Sequence, residues 1–195
     1  MVQTFSSKNG HIEVITGSMF SGKTEELIRR IERADIAGKD VEVFTPKTDD
    51  RYGEDVIGSH KGNEKKAKIV DPEKDSLKNR ASDNLDVIAV DEANFFNENI
   101  VGEVRELANQ GLRVIVSGTD QTFRGDPFEP LPQLMAEAEK VDKLNAVCSK
   151  CGEPATRNQR LIDGEPAHED DPTIMVGADE SYEARCRECH ELRTD

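Results

Sequence analysis

Short apolar or β-branched runs alternate along the chain with segments of helical periodicity. The runs are typical of strands, and they lie at residues 11–16, 41–45, 87–90 and 113–117. Apolar residues three or four apart predict helices around residues 27–34 and 100–107, and each is followed by a glycine stop. Strands and helices that alternate in this way predict an α/β fold with a mostly parallel sheet, whose ligands bind at the carboxyl ends of the strands.

The remaining segments are less regular. Residues 47–68 keep no period and contain three glycines, which predicts a mobile loop or a hairpin. We expect a short helix over residues 71–80, a second over residues 133–139, and a last strand over residues 143–147 that leads to the first cysteine pair.

The segment after the first predicted strand has the spacing of a phosphate-binding loop, a glycine and four residues before Gly-Lys-Thr. Gly17 and Gly22 permit turns that aim backbone N–H groups at phosphate oxygens, and Lys23 adds a positive charge. A glycine-rich turn that binds nothing is the alternative, but strand, loop and helix follow in the order that a nucleotide site requires. The residues predicted to bind ATP here are Gly17, Ser18, Met19, Phe20, Ser21, Gly22, Lys23 and Thr24.

Two acids, Asp91 and Glu92, follow the apolar run at residues 87–90. A carboxylate at the end of a buried strand is typical of the second nucleotide-binding motif, so Asp91 and the Thr24 hydroxyl are the candidate ligands for Mg²⁺. Glu92 is the candidate general base that takes a proton from an acceptor hydroxyl. The alternative is that both acids only begin a helix, where negative charge is favourable.

The four cysteines of the chain form two pairs, Cys148-x-x-Cys151 and Cys186-x-x-Cys189. Two such pairs can present four thiolates to one structural zinc ion. A disulfide is disfavoured in a reducing cytosol, and a redox dithiol needs one pair rather than two. We expect His190 to be a surface residue, since a structural site closes at four ligands. The long connection between the pairs is typical of a lid.

Length and charge narrow the class of protein. A chain of 195 residues can form one core with a small module, and we predict a phosphate-loop domain over residues 1–147 and a zinc-binding lasso domain over residues 148–195. The net charge of −14 disfavours nucleic acid as a partner, and reflects either a solvated surface or adaptation to a high-salt cytoplasm. We expect a cytoplasmic protein with no membrane partner, because the sequence has neither a membrane-spanning apolar run nor a secretory signal.

The chain resembles the type II thymidine kinases over nearly its whole length, from Gly17 to the last cysteine. The resemblance rests on the phosphate loop in the form Met-Phe-Ser-Gly-Lys-Thr, on residues 91–96, on Phe123 followed by Pro127-Phe128, and on residues 182–190. It implies ATP-dependent phosphorylation of thymidine to its monophosphate, a salvage step for DNA synthesis. It also implies a RecA-like phosphate-loop domain with a zinc-held lasso over the nucleoside.

The resemblance also assigns residues. Glu92 becomes the general base on the 5′-hydroxyl, and Asp91, Glu92, Ala93 and Asn94 join the phosphate loop in holding ATP and Mg²⁺, with Asp49 and Arg51 as further contributors. Four aromatic residues are either core residues or residues that stack on the base: Phe95, Phe123, Phe128 and Tyr182. The candidates for nucleoside binding are Met19, Phe95, Phe123, Phe128, Thr173, Ile174, Met175, Val176, Gly177 and Tyr182. A homotetramer inhibited by thymidine triphosphate is implied as well.

Two positions depart from the family pattern. Asn94 stands where the family usually has Gln, and Thr119 stands near the base pocket where many members have Leu, so the preference for the methylated base stays open. Two alternatives are a kinase for another deoxynucleoside, such as deoxyuridine, and a non-enzymatic zinc-ribbon binding protein regulated by ATP. Phosphate transfer to a nucleoside separates the last of these from the kinases.

Overall fold

The computed structural model describes residues 10–47, 56–58, 64–174 and 180–194. The strands are β1 (His11–Gly17), β2 (Val41–Pro46), β3 (Val56–Gly58), β4 (Glu64–Lys66), β5 (Lys68–Val70), β6 (Val87–Val90), β7 (Arg113–Gly118), β8 (Lys140–Leu144), β9 (Ala146–Val147), β10 (Pro154–Ala155), β11 (Arg157–Ile162), β12 (Glu165–Pro166) and β13 (Glu180–Arg185). The helices are α1 (Lys23–Ile36), α2 (Leu77–Arg80), α3 (Asn99–Asn109) and α4 (Leu131–Glu137).

Six strands form the main sheet, in the order β5-β2-β6-β7-β1-β8, and every neighbouring pair is parallel. Successive side chains of a strand face opposite sides of a sheet. In β7, Val114 and Val116 therefore lie in the apolar cluster with Val104 and Leu131, while Ile115 lies in the cluster of α1. Helices thus cover both faces, and the predicted α/β architecture is confirmed.

A buried ion network fixes α1 to the sheet. Glu13 of β1 accepts from Arg30 of α1 at 2.6 Å and from Arg113 of β7 at 2.7 Å, and Arg30 also bonds Asp142 of β8. Burial alone would raise the pKa of Glu13, but hydrogen bonds from His11 and Arg113 and the charge of Arg30 hold that pKa far below its usual range. Because the phosphate loop joins β1 to α1, this network sets the position of the loop's two ends.

Several predicted boundaries are wrong. Residues 68–70 form an edge strand of the main sheet, which was not predicted. This strand begins at the last residue of the segment 47–68, for which a loop or a hairpin was expected. The last strand of the sheet is Lys140–Leu144, and residues 146–147 pair with Pro154–Ala155 instead. Helix α2 covers only Leu77–Arg80, and α4 begins at Leu131 and ends at Glu137. Residues 56–58 pair antiparallel with residues 64–66, as the hairpin alternative expected. Residues 48–55 and 59–63, which include Asp49 and Arg51, lie outside the described residues.

We call residues 10–144 the sheet region and residues 146–194 the cysteine region. The cysteine region contains the β9–β10 pair and a three-stranded antiparallel sheet in the order β12-β11-β13. Its buried apolar cluster consists of small side chains: Ala146, Cys148, Ala155, Ala184 and Cys186. Among the helices that the structure describes, none combines the length and the apolar character needed to cross a membrane.

Candidate active site and metal centre

The phosphate loop lies at the carboxyl end of β1 and needs its glycines. A Cβ at Gly17 would stand 2.2 Å from the carbonyl oxygen of Leu144, so no side chain fits there. Gly22 adopts a left-handed φ of 88° immediately before α1 begins at Lys23. The loop therefore delivers the chain directly to the positive end of a helix, which is the geometry that binds phosphate.

Lys23 is buried at the base of this loop. Its Nζ donates to the carbonyl oxygen of Ser18 at 2.9 Å, and the Ser21 N–H donates to the same oxygen at 3.3 Å. These two hydrogen bonds to the Ser18 carbonyl stabilise the loop and hold the ammonium group inside the turn that the sequence predicts to bind phosphate.

Asp91 faces the loop from the end of β6. The Thr24 hydroxyl donates to its Oδ2 at 3.4 Å, so the two predicted Mg²⁺ ligands are neighbours. Burial and, second, the charge of the adjacent Glu92 carboxylate raise the pKa of Asp91 to about 7, although the charge of Lys23 opposes the change. A hydroxyl and a carboxylate oxygen are the donors that Mg²⁺ prefers, and a buried carboxylate with a raised pKa gains from a nearby cation. The residues present fit the ion.

Glu92 is held in a strained backbone conformation. Its φ is 49° and its ψ is 43°, a left-handed conformation that is uncommon for a residue other than glycine. Its N–H donates to Asp91 Oδ1 at 3.0 Å, which fixes the turn. Its side chain makes no capping bond to the 3₁₀ turn Ala93–Phe95 that follows, so the helix-beginning alternative loses support. Such strain concentrates at functional sites.

Ala93 and Asn94, two further residues predicted to bind ATP, are both buried. Asn94 is buried, and its Oδ1 accepts the Thr119 N–H at 2.8 Å, which joins the turn after β6 to the end of β7. Ala93 is fully buried in the apolar cluster. Their visible role is to hold Asp91 and Glu92 in place between neighbouring strands.

The predicted nucleoside residues divide into two groups. Phe95 and Phe128 make an edge contact with each other, with ring centroids 6.3 Å apart. Phe123 is buried, and the guanidinium groups of Arg160 and Arg124 lie 4.2 Å and 4.5 Å from its ring centroid. Three further candidates, Met175, Val176 and Gly177, lie outside the described residues.

Arg160 joins these aromatic residues to the start of the predicted base-reading segment. Its guanidinium donates to Tyr182 Oη at 3.0 Å, to the Pro172 carbonyl at 2.6 and 2.8 Å, and to the Thr173 carbonyl at 3.2 Å. Arg124 donates to Thr173 Oγ1 at 2.9 Å and also bonds the carbonyl of Asp171. Ile174, next in the chain, is half exposed. Two arginines therefore hold the chain where this segment begins.

Sequence reasoning missed these arginines and the strand that carries one of them. Residues 157–160, Arg-Asn-Gln-Arg, are all buried in β11, although a wholly polar run indicates a solvated strand or loop. The available signal was the length of the segment between the cysteine pairs, which is long enough for a small sheet with a polar interior.

The four cysteine thiols form one cluster. Their sulfur atoms all lie within 4.8 Å of one another, and Cys151 Sγ is 3.6 Å from Cys186 Sγ, too far for a disulfide. Although burial raises the pKa of Cys148, backbone N–H groups of Cys186, Cys151 and Lys150 lower it to about 6, while hydrogen bonds among the neighbouring thiols raise the pKa values of Cys151 and Cys189. Four sulfur donors at these distances fit a tetrahedral zinc ion.

His190 lies beside this cluster without belonging to it. Its Nε2 bonds the carbonyl oxygen of Phe123 at 2.7 Å, and because that oxygen can only accept, the ring nitrogen donates. Burial lowers the pKa of the imidazole. His190 is therefore a partly buried residue that connects the second cysteine pair to Phe123.

Comparison with known proteins agrees with this arrangement. A family model described as thymidine kinase matches residues 10–190. Proteins named thymidine kinase from two strains of Halobacterium salinarum are 60% identical over 97% of this chain and 98% of theirs. A protein of the same name from Haloquadratum walsbyi is 54% identical over 96% of this chain and 97% of its own. The chain belongs to the thymidine kinase family.

Proposed function

We propose that this protein transfers the γ-phosphoryl group of ATP to the 5′-hydroxyl of thymidine, which yields thymidine monophosphate and ADP. The observation that carries the proposal is the meeting of the phosphate loop, Asp91 and Glu92 at one end of the sheet, in a chain 60% identical to proteins named thymidine kinase. Membership of a phosphotransferase family supports the reaction class.

The phosphate loop and α1 hold the donor. Backbone N–H groups of the loop and the positive end of α1 face the phosphates, and Lys23 balances charge on the transferring group. Thr24 and Asp91 would hold Mg²⁺, which neutralises charge on the phosphate oxygens when it is bound. The burial of Asp91 supports a role beside a cation rather than at the protein surface.

Glu92 acts on the acceptor. Its carboxylate orients the 5′-hydroxyl and takes the proton, which becomes acidic late because the transition state of phosphoryl transfer is loose. The oxygen of the nucleoside forms a bond to phosphorus as the bond to the ADP oxygen breaks. The left-handed backbone at Glu92 supports this role, since the strain persists only because the surrounding turn fixes the residue.

The cysteine region holds the nucleoside together with Phe123 and Arg124 of the sheet region. In this proposal the segment after Pro172 reads the base edge, Tyr182 and Phe123 line the pocket, and Arg160 and Arg124 fix them together. A zinc ion on the four cysteines stabilises that region as a domain distinct from the phosphate-loop domain. We extend the proposal to a cytoplasmic homotetramer inhibited by thymidine triphosphate, as the resemblance implies; the four free thiols suit a reducing compartment.

The experiment is a phosphorylation assay with purified protein, [γ-³²P]ATP and a panel of thymidine, deoxyuridine and other deoxynucleosides, at low and high KCl. Thymidine should be the best acceptor. Preference for another deoxynucleoside would select the alternative kinase, and transfer to none of them would select a zinc-ribbon protein that only binds ATP.

Lys23→Ala should lower turnover by about 10²–10³ because the charge on the phosphoryl group loses its partner. The control is Lys39→Ala, whose exposed ammonium pairs with Asp86, and it should behave as wild type.

A further inference from the structure

The side-chain amide of Asn158 bridges two parts of the site. Asn158 lies on β11 in the cysteine region and is only 3% exposed. Its Oδ1 accepts the backbone N–H of Met19 at 2.7 Å, and its Nδ2 donates to the carbonyl oxygen of Gln121 at 2.8 Å. One buried side chain thus bonds the phosphate loop on one side and the chain beyond β7 on the other.

The bond to Met19 fixes the middle of the phosphate loop. Met19 lies between Gly17 and Gly22, where the backbone is freest to change conformation, and its N–H is committed to Asn158. A second bond supports the first: the Ser18 hydroxyl donates to the Ala155 carbonyl at 3.2 Å. Two consecutive loop residues are therefore attached to the cysteine region.

These contacts continue to the cysteine cluster. Ala155 packs in the same apolar cluster as Cys148 and Cys186. Beyond Gln121, the Phe123 carbonyl accepts from His190, whose own N–H bonds the Cys186 carbonyl at 3.1 Å. Contacts from the cysteine cluster therefore reach Ser18, which is next to Met19, and Phe123, which lies two residues after Gln121.

The neighbouring Gln159 provides a natural contrast. It is 1% exposed, and its amide bonds the Glu191 N–H and carbonyl at 2.8 Å each. A buried side-chain amide on the same strand therefore binds Glu191 here instead of the phosphate loop.

We propose that Asn158 is a positioning residue that holds the phosphate loop in its phosphate-binding shape and makes that shape depend on the cysteine region. The proposal rests on the proposed function in assuming that the loop binds ATP. It assigns to the cysteine region a second role, on the donor side of the reaction, in addition to covering the nucleoside. Without Asn158 the Met19 N–H is unpaired, and the loop samples other conformations that bind ATP less well.

The test compares Asn158→Ala, Asn158→Asp and Gln159→Ala with wild type. ATP dissociation constants are measured by calorimetry with Mg²⁺ and without nucleoside, alongside kcat, the KM values for ATP and thymidine, zinc content and melting temperature. We expect Asn158→Ala to raise the ATP dissociation constant about fivefold to twentyfold, as loss of a buried hydrogen bond implies. Asn158→Asp keeps an acceptor for the Met19 N–H, and its ATP affinity should lie nearer to wild type at high KCl, where the added negative charge is screened. Gln159→Ala should lower the melting temperature to a similar extent and leave ATP affinity within twofold.

The outcomes are separable. Equal ATP affinities for Asn158→Ala and Gln159→Ala would overturn the proposal, as would failure of both Asn158 variants to fold while Gln159→Ala folds, because either result makes Asn158 a structural residue only. Full zinc content in Asn158→Ala together with a lower ATP affinity would support the positioning role of Asn158. A wild-type protein that binds ATP and phosphorylates no nucleoside would refute the proposed function, but the ATP affinities would still decide the role of Asn158.

Discussion

The sheet region and the cysteine region are stabilised by different chemistry. In the sheet region, both faces of the parallel strands bury large apolar side chains against helices. In the cysteine region, the apolar cluster contains only alanines and cysteines, while four consecutive polar residues of β11 are buried. A region of about 50 residues buries too little apolar surface to be stable alone, so metal and hydrogen bonds must contribute much of its stability.

The difference also separates the steps of the proposed reaction. In the proposed reaction, the sheet region presents Lys23, Asp91 and Glu92, whose positions set the rate of phosphoryl transfer. The cysteine region presents backbone carbonyls and the Tyr182 ring, all bonded to Arg160, and their order sets how well the nucleoside is bound. Changes at Lys23, Asp91 or Glu92 should therefore act on kcat. Changes in the cysteine region should act on zinc content and on the KM for thymidine, apart from Asn158, whose expected effect is on ATP affinity.

Loss of a cysteine should have the largest effect. Cys148→Ser removes one of four thiolates, and structural zinc binding contributes about 10–16 kcal/mol of folding free energy in small zinc domains. We expect loss of zinc by elemental analysis and rapid amide hydrogen exchange in β11 and β13, with β1 and β7 still protected. Lys150→Ala, an exposed change in the same cysteine pair, is the control. Unchanged zinc content, or unfolding of both regions together, would contradict the comparison.

Replacing the proposed base should be next in size. Glu92→Gln keeps the shape of the side chain and removes its basicity, so kcat should fall by about 10²–10⁴. The thymidine dissociation constant should stay within about twofold, because in the proposed function other residues bind the nucleoside. Glu98→Gln, at an exposed position six residues later, is the control and should leave kcat unchanged. A near-normal kcat together with a lower melting temperature would make Glu92 a structural acid.

Arg160→Met should show the opposite pattern. It leaves the Pro172 and Thr173 carbonyls and the Tyr182 hydroxyl without their donor, at about 1–3 kcal/mol for each group that stays buried. We expect the KM for thymidine to rise at least tenfold while kcat changes less than threefold. Arg185→Met is the matched control, since that buried guanidinium bonds Glu183 at 2.8 Å and does not contact residues 172–173. Equal KM shifts in the two variants would refute a specific role for Arg160.

The same contrast explains what the sequence could predict. Strands β1, β6 and β7 are mostly apolar or β-branched, and β1 and β6 end directly before the phosphate loop and Asp91. Their positions, the phosphate loop, Asp91 and the cysteine cluster therefore follow from pattern and spacing. Strand β5 was missed because three residues at a sheet edge give no period. Strand β11 was missed because its buried residues are polar, and partners such as Pro172 and Gln121 are far away in the chain and cannot be inferred from local sequence.

A small change in the sheet tests whether the two regions are energetically separate. Ile115 is fully buried on β7 with Ile15, Leu27 and Ala89. Ile115→Val removes one methylene, and such changes cost about 0.5–1.5 kcal/mol, which denaturant unfolding can measure. The cost should be the same in zinc-loaded and in chelator-treated protein, because distant sites with no shared partners add within about 0.3–0.5 kcal/mol.

Asn158→Ala should depend on zinc, in contrast to Ile115→Val. Its effect on ATP affinity should shrink when zinc is removed, since the bond from Met19 then has no ordered acceptor in either protein. Additive behaviour at Ile115 together with coupling at Asn158 would place the connection between the regions at the phosphate loop. If the cost of Ile115→Val changed with zinc by more than about 0.5 kcal/mol, the sheet itself would depend on the metal, and the division of stability between apolar packing and thiol chemistry would be wrong.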